Sequence, residues 1–335
     1  MRVSIPAMAG GTVRQLADAR AARRGAAWGM TAPRPLHHPL PHPLHSAGPP
    51  VWDVTRAAGL GALPASPDAL AFLPDLRAAL AGVLVAAGGV DLVFVGRSPE
   101  PLRAYLGGLL WGVGVPWRVS GLNVSLLNAT LDAGQVRTLR PLLAGAGLHP
   151  RELVRSGRRA ALVDVVASGG TFAELHRALR DWAQEDGLGG RCVTRRVRLV
   201  GLLRGGYARP AAQRWNAQSG LRGVQARSVL TGAALWSWLA EDGGKVAPRF
   251  PADTWAAPPG GLPARDPERL AALAQARTLF LLGQRRDERA VMTAALNAAG
   301  GQRVAAVRAL CGAWRGAASP LPERGGRLPR HRPAG

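Results

Sequence analysis

Residues 162–171 read LVDVVASGGT, an apolar run that breaks into a loop of small residues and hydroxyls. The run starts near Arg159, and its Ala, Leu and Val residues have the length and composition of a strand buried on both faces. Ser168, Gly169, Gly170 and Thr171 then place two glycines where the chain must turn tightly and bring backbone N–H groups close to a ligand. Phe172, Leu175, Leu179 and Trp182 mark an amphipathic helix over residues 171–184. Strand, glycine loop and helix start together make an anion cradle, because the helix N-terminus carries partial positive charge. A phosphate monoester suits that cradle of Ser168, Gly169, Gly170 and Thr171. Asp164 interrupts the apolar run near its end. A lone carboxylate is costly to bury, so it is expected where the sheet meets ligand or water, accepting hydrogen bonds from sugar hydroxyls.

Outward from this unit the alternation repeats. Residues 90–95 form an earlier apolar strand, closed off from the preceding helix by Gly88 and Gly89. Gly96, Arg97 and Ser98 follow, and Ser98-Pro99-Glu100 reads as a helix start with a serine cap, a first-turn proline and a first-turn acid. Arg97 offers a planar fork of donors suited to phosphate or pyrophosphate. Further strands are expected at residues 117–126 and 197–203, with helices at 99–111 and within 128–147 and a short one opened by Pro150. Strands alternating with helices at this spacing predict an α/β fold with an open, mainly parallel sheet and helices on both faces. Ligands of such sheets bind beyond the carboxyl ends of the strands, where both loops fall.

The organisation expected is an extension over residues 1–50, disordered and rich in Pro, His and Arg; an α/β domain over 51–205; a mainly helical region over 206–318; and a disordered tail over 319–335. His37, His38, His42 and His45 lack cysteine or carboxylate neighbours and are read as a solvated tail. Cys192 and Cys311 are too few and too separated for a zinc cluster or a disulfide framework. The net charge of +22 raises nucleic acid as a partner. It is not favoured, because the charge is almost all arginine, spread along a chain rich in Ala, Gly and Pro, with Lys245 the only lysine. The apolar stretch 78–90 is broken by Gly82, Gly88 and Gly89 and is shorter than the about 20 residues a bilayer needs, so no membrane partner and a cytoplasmic location are expected. No Gly-Lys-Ser/Thr follows either loop, which excludes a P-loop hydrolase.

The segment VDVVASGGT resembles the signature of the type I phosphoribosyltransferases, an apolar strand with two adjacent acids, a short spacer and a Thr-Gly-Gly-Thr-like loop. Aligned on the glycines, Asp164 falls on the second acid and Val163 replaces the first. The resemblance spans roughly residues 91–203. It implies that Asp164 contacts the ribose hydroxyls of phosphoribosyl pyrophosphate and serves catalysis, that Ala167 to Thr171 hold the 5′-phosphate, and that Gly96, Arg97 and Ser98 form the pyrophosphate loop. It implies Mg²⁺ bound mainly through substrate pyrophosphate, a place in nucleotide metabolism, and a homodimer as one arrangement. The acceptor would be covered by a hood from the region after Gly205 or from residues 51–90.

The leading expectation is transfer of a ribosyl phosphate group to an acceptor with release of pyrophosphate. The alternative is a non-catalytic sensor of a ribose phosphate or nucleotide that regulates a protein or RNA, which the departure at Val163 favours. His176 is expected as an exposed helix histidine, and Arg137 and Arg140 as a solvated face. Trp236, Trp238 and Trp255 are expected in packing rather than stacked on a base.

Overall fold

Six strands form one open, all-parallel sheet in the order β1-β3-β2-β4-β5-β6. They are β1 His45–Ala47, β2 Asp91–Val95, β3 Val119–Leu122, β4 Ala160–Val165, β5 Val197–Arg204 and β6 Gln225–Thr231. The computed structural model describes residues 45–49, 53–55, 68–126, 130–206, 214–217, 219–256 and 266–316. Most of the expected N-terminal extension and all of the tail over 319–335 lie outside these residues.

Strand β4 pairs with β2 on one side and β5 on the other, so Val163 lies opposite both Phe94 and Val200. Its alternate side chains enter two different cores. Ala161 and Val163 pack under helices α2 (Leu73–Ala87) and α3 (Glu100–Leu110), which follow the short α1 (Asp68–Ala71). Ala160 and Leu162 pack under α4 (Ala133–Gly145) and α6 (Gly170–Glu185), beside the short α5 (Pro150–Ser156) and α7 (Arg191–Arg196). A strand covered on both faces needs apolar side chains at successive positions, which is why the run shows no alternation.

Local chemistry sets several boundaries. Helix α2 stops at Gly88, whose φ of +67° is left-handed and whose N–H donates to Leu84 O. Helix α4 starts at residue 133 because Asp132 and Gln135 form a reciprocal capping box. The third strand is shorter than expected. Beyond Leu122 the chain leaves the ladder, with Asn123 N donating to Ala47 O and Ser125 exchanging hydrogen bonds with Phe250.

Two departures from expectation involve strands. Residues 45–47, inside the segment read as a disordered extension, pair with β3 at the sheet edge. Arg103 ties them down: its guanidinium crosses Gly121 to reach Ser46 Oγ and pairs with Glu100 at 2.8 Å. Strand β6 lies in the region expected to be mainly helical. It is an edge strand in which Val229 and Thr231 are buried and most other residues are exposed, so it shows no apolar run.

The rest of the C-terminal region is helical, with α8 (Ala233–Ser237), α9 (Pro267–Gly283), α10 (Arg286–Ala298) and α11 (Ala305–Gly316). Helices α9 to α11 pack against α2 and α3. Gly108 and Gly283 let α3 and α9 touch backbone to backbone: a Cβ on Gly108 would lie 2.0 Å from Phe280 O. Buried Glu288 on α10 accepts from Arg77 Nε at 2.7 Å and Nη2 at 2.5 Å, and also from Tyr105 Oη. One carboxylate thereby joins α10 to α2 and α3. Among the described residues, no helix is long and apolar enough to cross a membrane.

Removing one member of a buried charge pair strands the other. Glu288→Ala is therefore expected to cost about 3 kcal/mol in urea unfolding, with the C-terminal helices losing amide protection first.

Candidate functional site

Strand β2 has β3 on one side and β4 on the other, so successive connections leave it in opposite directions. The opening between β2 and β4 is the topological switch point, where parallel sheets leave a crevice at their carboxyl ends. Both loops singled out in the sequence border it. The loop after β2 runs into α3 on one face, and the loop after β4 runs into α6 on the other.

Ala167 and Ser168 are exposed at the crest of the second loop, while Gly169 is buried at the start of α6. Gly169 has a φ of +85°, and a Cβ there would sit 3.1 Å from Trp215 O and 3.2 Å from the indole ring. Dihedral and packing both require glycine at this position. Among the described residues no side chain caps α6, so the first-turn N–H groups of Gly170 and Thr171 face outward from the sheet edge apart from a 3.5 Å contact of Gly170 N with Ser168 Oγ. Trp215 is buried behind the loop, stacked at a tilt on Phe172 and donating from Nε1 to Ser228 Oγ at 3.0 Å.

Asp164 lies one residue from the end of β4, opposite Gly201 of β5. A side chain on Gly201 would strike Val166 and Trp215, so Asp164 has a glycine as its β5 neighbour. The carboxylate accepts from Val165 N at 2.7 Å, and burial pushes its pKa up to about 8. No ion pair to it occurs among the described residues. Val163 points to the opposite face, fully buried with Phe94, Ala161 and Val200. An acid there would stand in hydrocarbon, which explains why this chain carries valine beside Asp164.

Gly96 turns with a φ of +70°, and its N–H donates to Leu122 O at 2.9 Å. Helix α3 begins one residue later than the Ser-Pro-Glu pattern implies. Pro99 occupies the cap position and Ser98 makes no capping bond, while Glu100 N closes a turn onto Arg97 O. Arg97 is half-buried and its Nη1 donates to Ala247 O at 3.0 Å, so part of the fork expected to face pyrophosphate is held by the C-terminal region. Burial lowers the pKa of this guanidinium, and nearby Arg249 and Arg269 lower it further. Glu268 acts in the opposite sense, and Arg269 is itself paired with Asp266 at 2.9 Å. Neither Arg249 nor Arg269 carries a sequence signal for this proximity, since nothing local links them to residue 97.

Other residues take roles different from those expected. His176 is fully buried, not exposed: Nδ1 donates to Gly220 O at 3.0 Å, Nε2 faces Thr194 Oγ1 at 3.4 Å, and burial lowers its pKa. It clamps α6 to α7 and to the turn at Ser219–Leu221, because the helical face it occupies is covered by those elements. Arg140 pairs with Glu185 at 2.6 Å and lies over Trp182, so it braces α4 against α6. Trp236, Trp238 and Trp255, by contrast, are buried in packing as expected, with Trp236 donating to Leu202 O and Trp255 to Phe250 O.

The raised pKa of Asp164 has a defined consequence for stability. Between the usual carboxyl value near 4 and about 8, the unfolded chain releases this proton before the folded chain does. The contribution of Asp164 is therefore most favourable below pH about 4 and is lost as pH rises toward 8. Thermal melts of the ligand-free protein should show Asp164→Asn gaining on the parent chain as pH rises from about 5 to 8; an equal offset at both ends would place the titration elsewhere. Comparison with protein-family models, with curated proteins and with solved structures found no match to this chain.

Proposed function

We propose that the crevice between β2 and β4 binds phosphoribosyl pyrophosphate or a related ribose 5-phosphate ligand, and that the protein transfers the ribosyl phosphate group to an acceptor. One observation carries this reading. A carboxylate lacking an ion-pair partner among the described residues, a glycine loop opening a helix, and an arginine-bearing loop meet at the switch point of a parallel sheet. The 5′-phosphate sits on the first-turn N–H groups of α6 with Ser168 and Thr171. Asp164 accepts from ribose hydroxyls, and the pyrophosphate lies toward Gly96 and Ser98, where Arg97 and Arg249 supply positive charge.

Among the described residues no group of three His, Cys, Asp or Glu side chains is placed to hold a metal ion. The reading implies Mg²⁺ carried mainly on substrate oxygens and water, with Asp164 the acidic side chain beside it. When bound, Mg²⁺ neutralises pyrophosphate charge. The chain's own contribution is to orient the donor across the two loops and keep the sugar at the sheet edge. Segments after Gly205 border both loops, through Trp215 behind Gly169 and through residues 247–250 beside β3, and the acceptor cover is assigned to them.

A second reading, a sensor that binds without turnover, is favoured by the sealed position of Val163. Titration calorimetry with phosphoribosyl pyrophosphate and Mg²⁺, followed by a pyrophosphate-release assay over a panel of bases, separates the two. Binding with release supports transfer; binding alone supports the sensor; no binding of any ribose phosphate removes both. At pH above about 8, where Asp164 is ionised, Asp164→Asn should weaken the ligand about tenfold without lowering the melting temperature, as expected for a lost charge-assisted hydrogen bond.

A further inference from the structure

A second cavity opens at the other end of the sheet, away from the switch point. It measures about 500 Å³ and is lined by Arg180 and Gln184 of α6, Gly190, Arg191, Thr194 and Arg195 on and before α7, and Arg222 and Gly223 ahead of β6. Helix α7 leads into the first residue of β5, and Gly223 precedes the first residue of β6, which places the cavity at the amino ends of the strands. Among the described residues four arginines line it and no carboxylate does.

The acids nearest in sequence are committed elsewhere. Glu185 pairs with Arg140, Asp186 with Arg151, and Asp181 with Arg177. No ion pair to Arg180, Arg191, Arg195 or Arg222 occurs among the described residues. Arg191 and Arg195 stand four apart on one short helix, where like charges repel, a cost that no ion pair among the described residues offsets. Arg180 lies over Gly190, whose Cβ would come 3.2 Å from Arg180 Nε, and this fixes one guanidinium at the cavity wall. Thr194 completes the wall, its Oγ1 donating to Gly190 O at 3.3 Å and facing the buried His176. Converging cations without counter-charge, in a concave space of nucleotide size, are the recognition chemistry of a multiply charged anion.

We infer that this cavity binds a small molecule bearing a run of two or more phosphates, recognised through the phosphates themselves. Its lining has no aromatic ring on which a base would stack. Its shape is a pocket bounded by three segments, whereas a nucleic-acid strand requires an extended track of cations. The inference is independent of the ribose phosphate site, since the residues that line the cavity belong to neither crevice loop.

Equilibrium binding of inorganic tripolyphosphate at about 150 mM salt tests it. Arg191→Ser/Arg195→Ser should weaken tripolyphosphate at least about tenfold, and Arg222→Glu, from a separate segment, should do the same. The control Arg286→Ser/Arg303→Ser, which removes equal charge far from the cavity in sequence, should change affinity less than about twofold. Equal losses in control and cavity variants would reduce the effect to general charge and overturn the inference. So would failure of the parent chain to bind tripolyphosphate, or complete displacement by a single-stranded RNA whose affinity the cavity variants leave unchanged. The substituted arginines are exposed, and matched melting temperatures confirm that the variants fold. Loss of phosphoribosyl pyrophosphate binding on Asp164→Asn with tripolyphosphate binding intact would separate the two sites.

Discussion

Burial of β4 on both faces and both edges is the constraint from which the remaining architecture follows. Its backbone is paired to β2 and β5, and its side chains are divided between two helical layers. Each apolar residue of the strand removes surface from water at about 25 cal/mol per Å², so neither helical layer can be lost without exposing the middle of the sheet. The strand has one polar residue, Asp164, and it comes where the cover from both sides ends. The candidate site is thus the first place along β4 where an acidic side chain is no longer fully covered.

The same constraint accounts for what the site lacks. Val163 and Asp164 are neighbours in the chain but belong to different faces, and the face of Val163 is closed by α2, α3 and the C-terminal helices packed against them. An acidic pair would require that layer to open. In this chain it is locked, by Gly108 and Gly283 in backbone contact and by Glu288 bridging Arg77 and Tyr105. Stability in the C-terminal layer and the single carboxylate at the crevice are two results of one packing arrangement.

The two proposals place anion recognition at both ends of the sheet. At the carboxyl end it depends on helix and loop backbone with arginines drawn from distant segments; at the amino end it depends on arginine side chains from α6, α7 and the turn before β6. Helix α6 runs between the two, and buried His176 at its middle fastens it to Thr194 and Gly220. The high arginine content of the chain therefore has local structure in at least two places, although it is spread evenly along the sequence.

The sequence alone determined what depends on neighbours in the chain. The strands around residues 91–95, 160–165 and 197–204, the glycine loop with its positive φ at Gly169, and the helix ends at Gly88 and Pro150 follow from residue type and spacing. Their legibility comes from steric rules and periodicities that act over a few residues. The tertiary structure decided what depends on residues far apart. Strand β1 and strand β6 are edge strands with too little buried surface to show a pattern, and they exist because β3 and β5 offer them hydrogen bonds. Arg97 turns to Ala247, His176 is buried by α7 and the Ser219–Leu221 turn, and Trp215 backs Gly169, none of which a local pattern encodes. The phosphate-type loop after LVDVV was legible because glycine and helix start are adjacent in the chain; its surroundings were not, because they are assembled by packing across the fold.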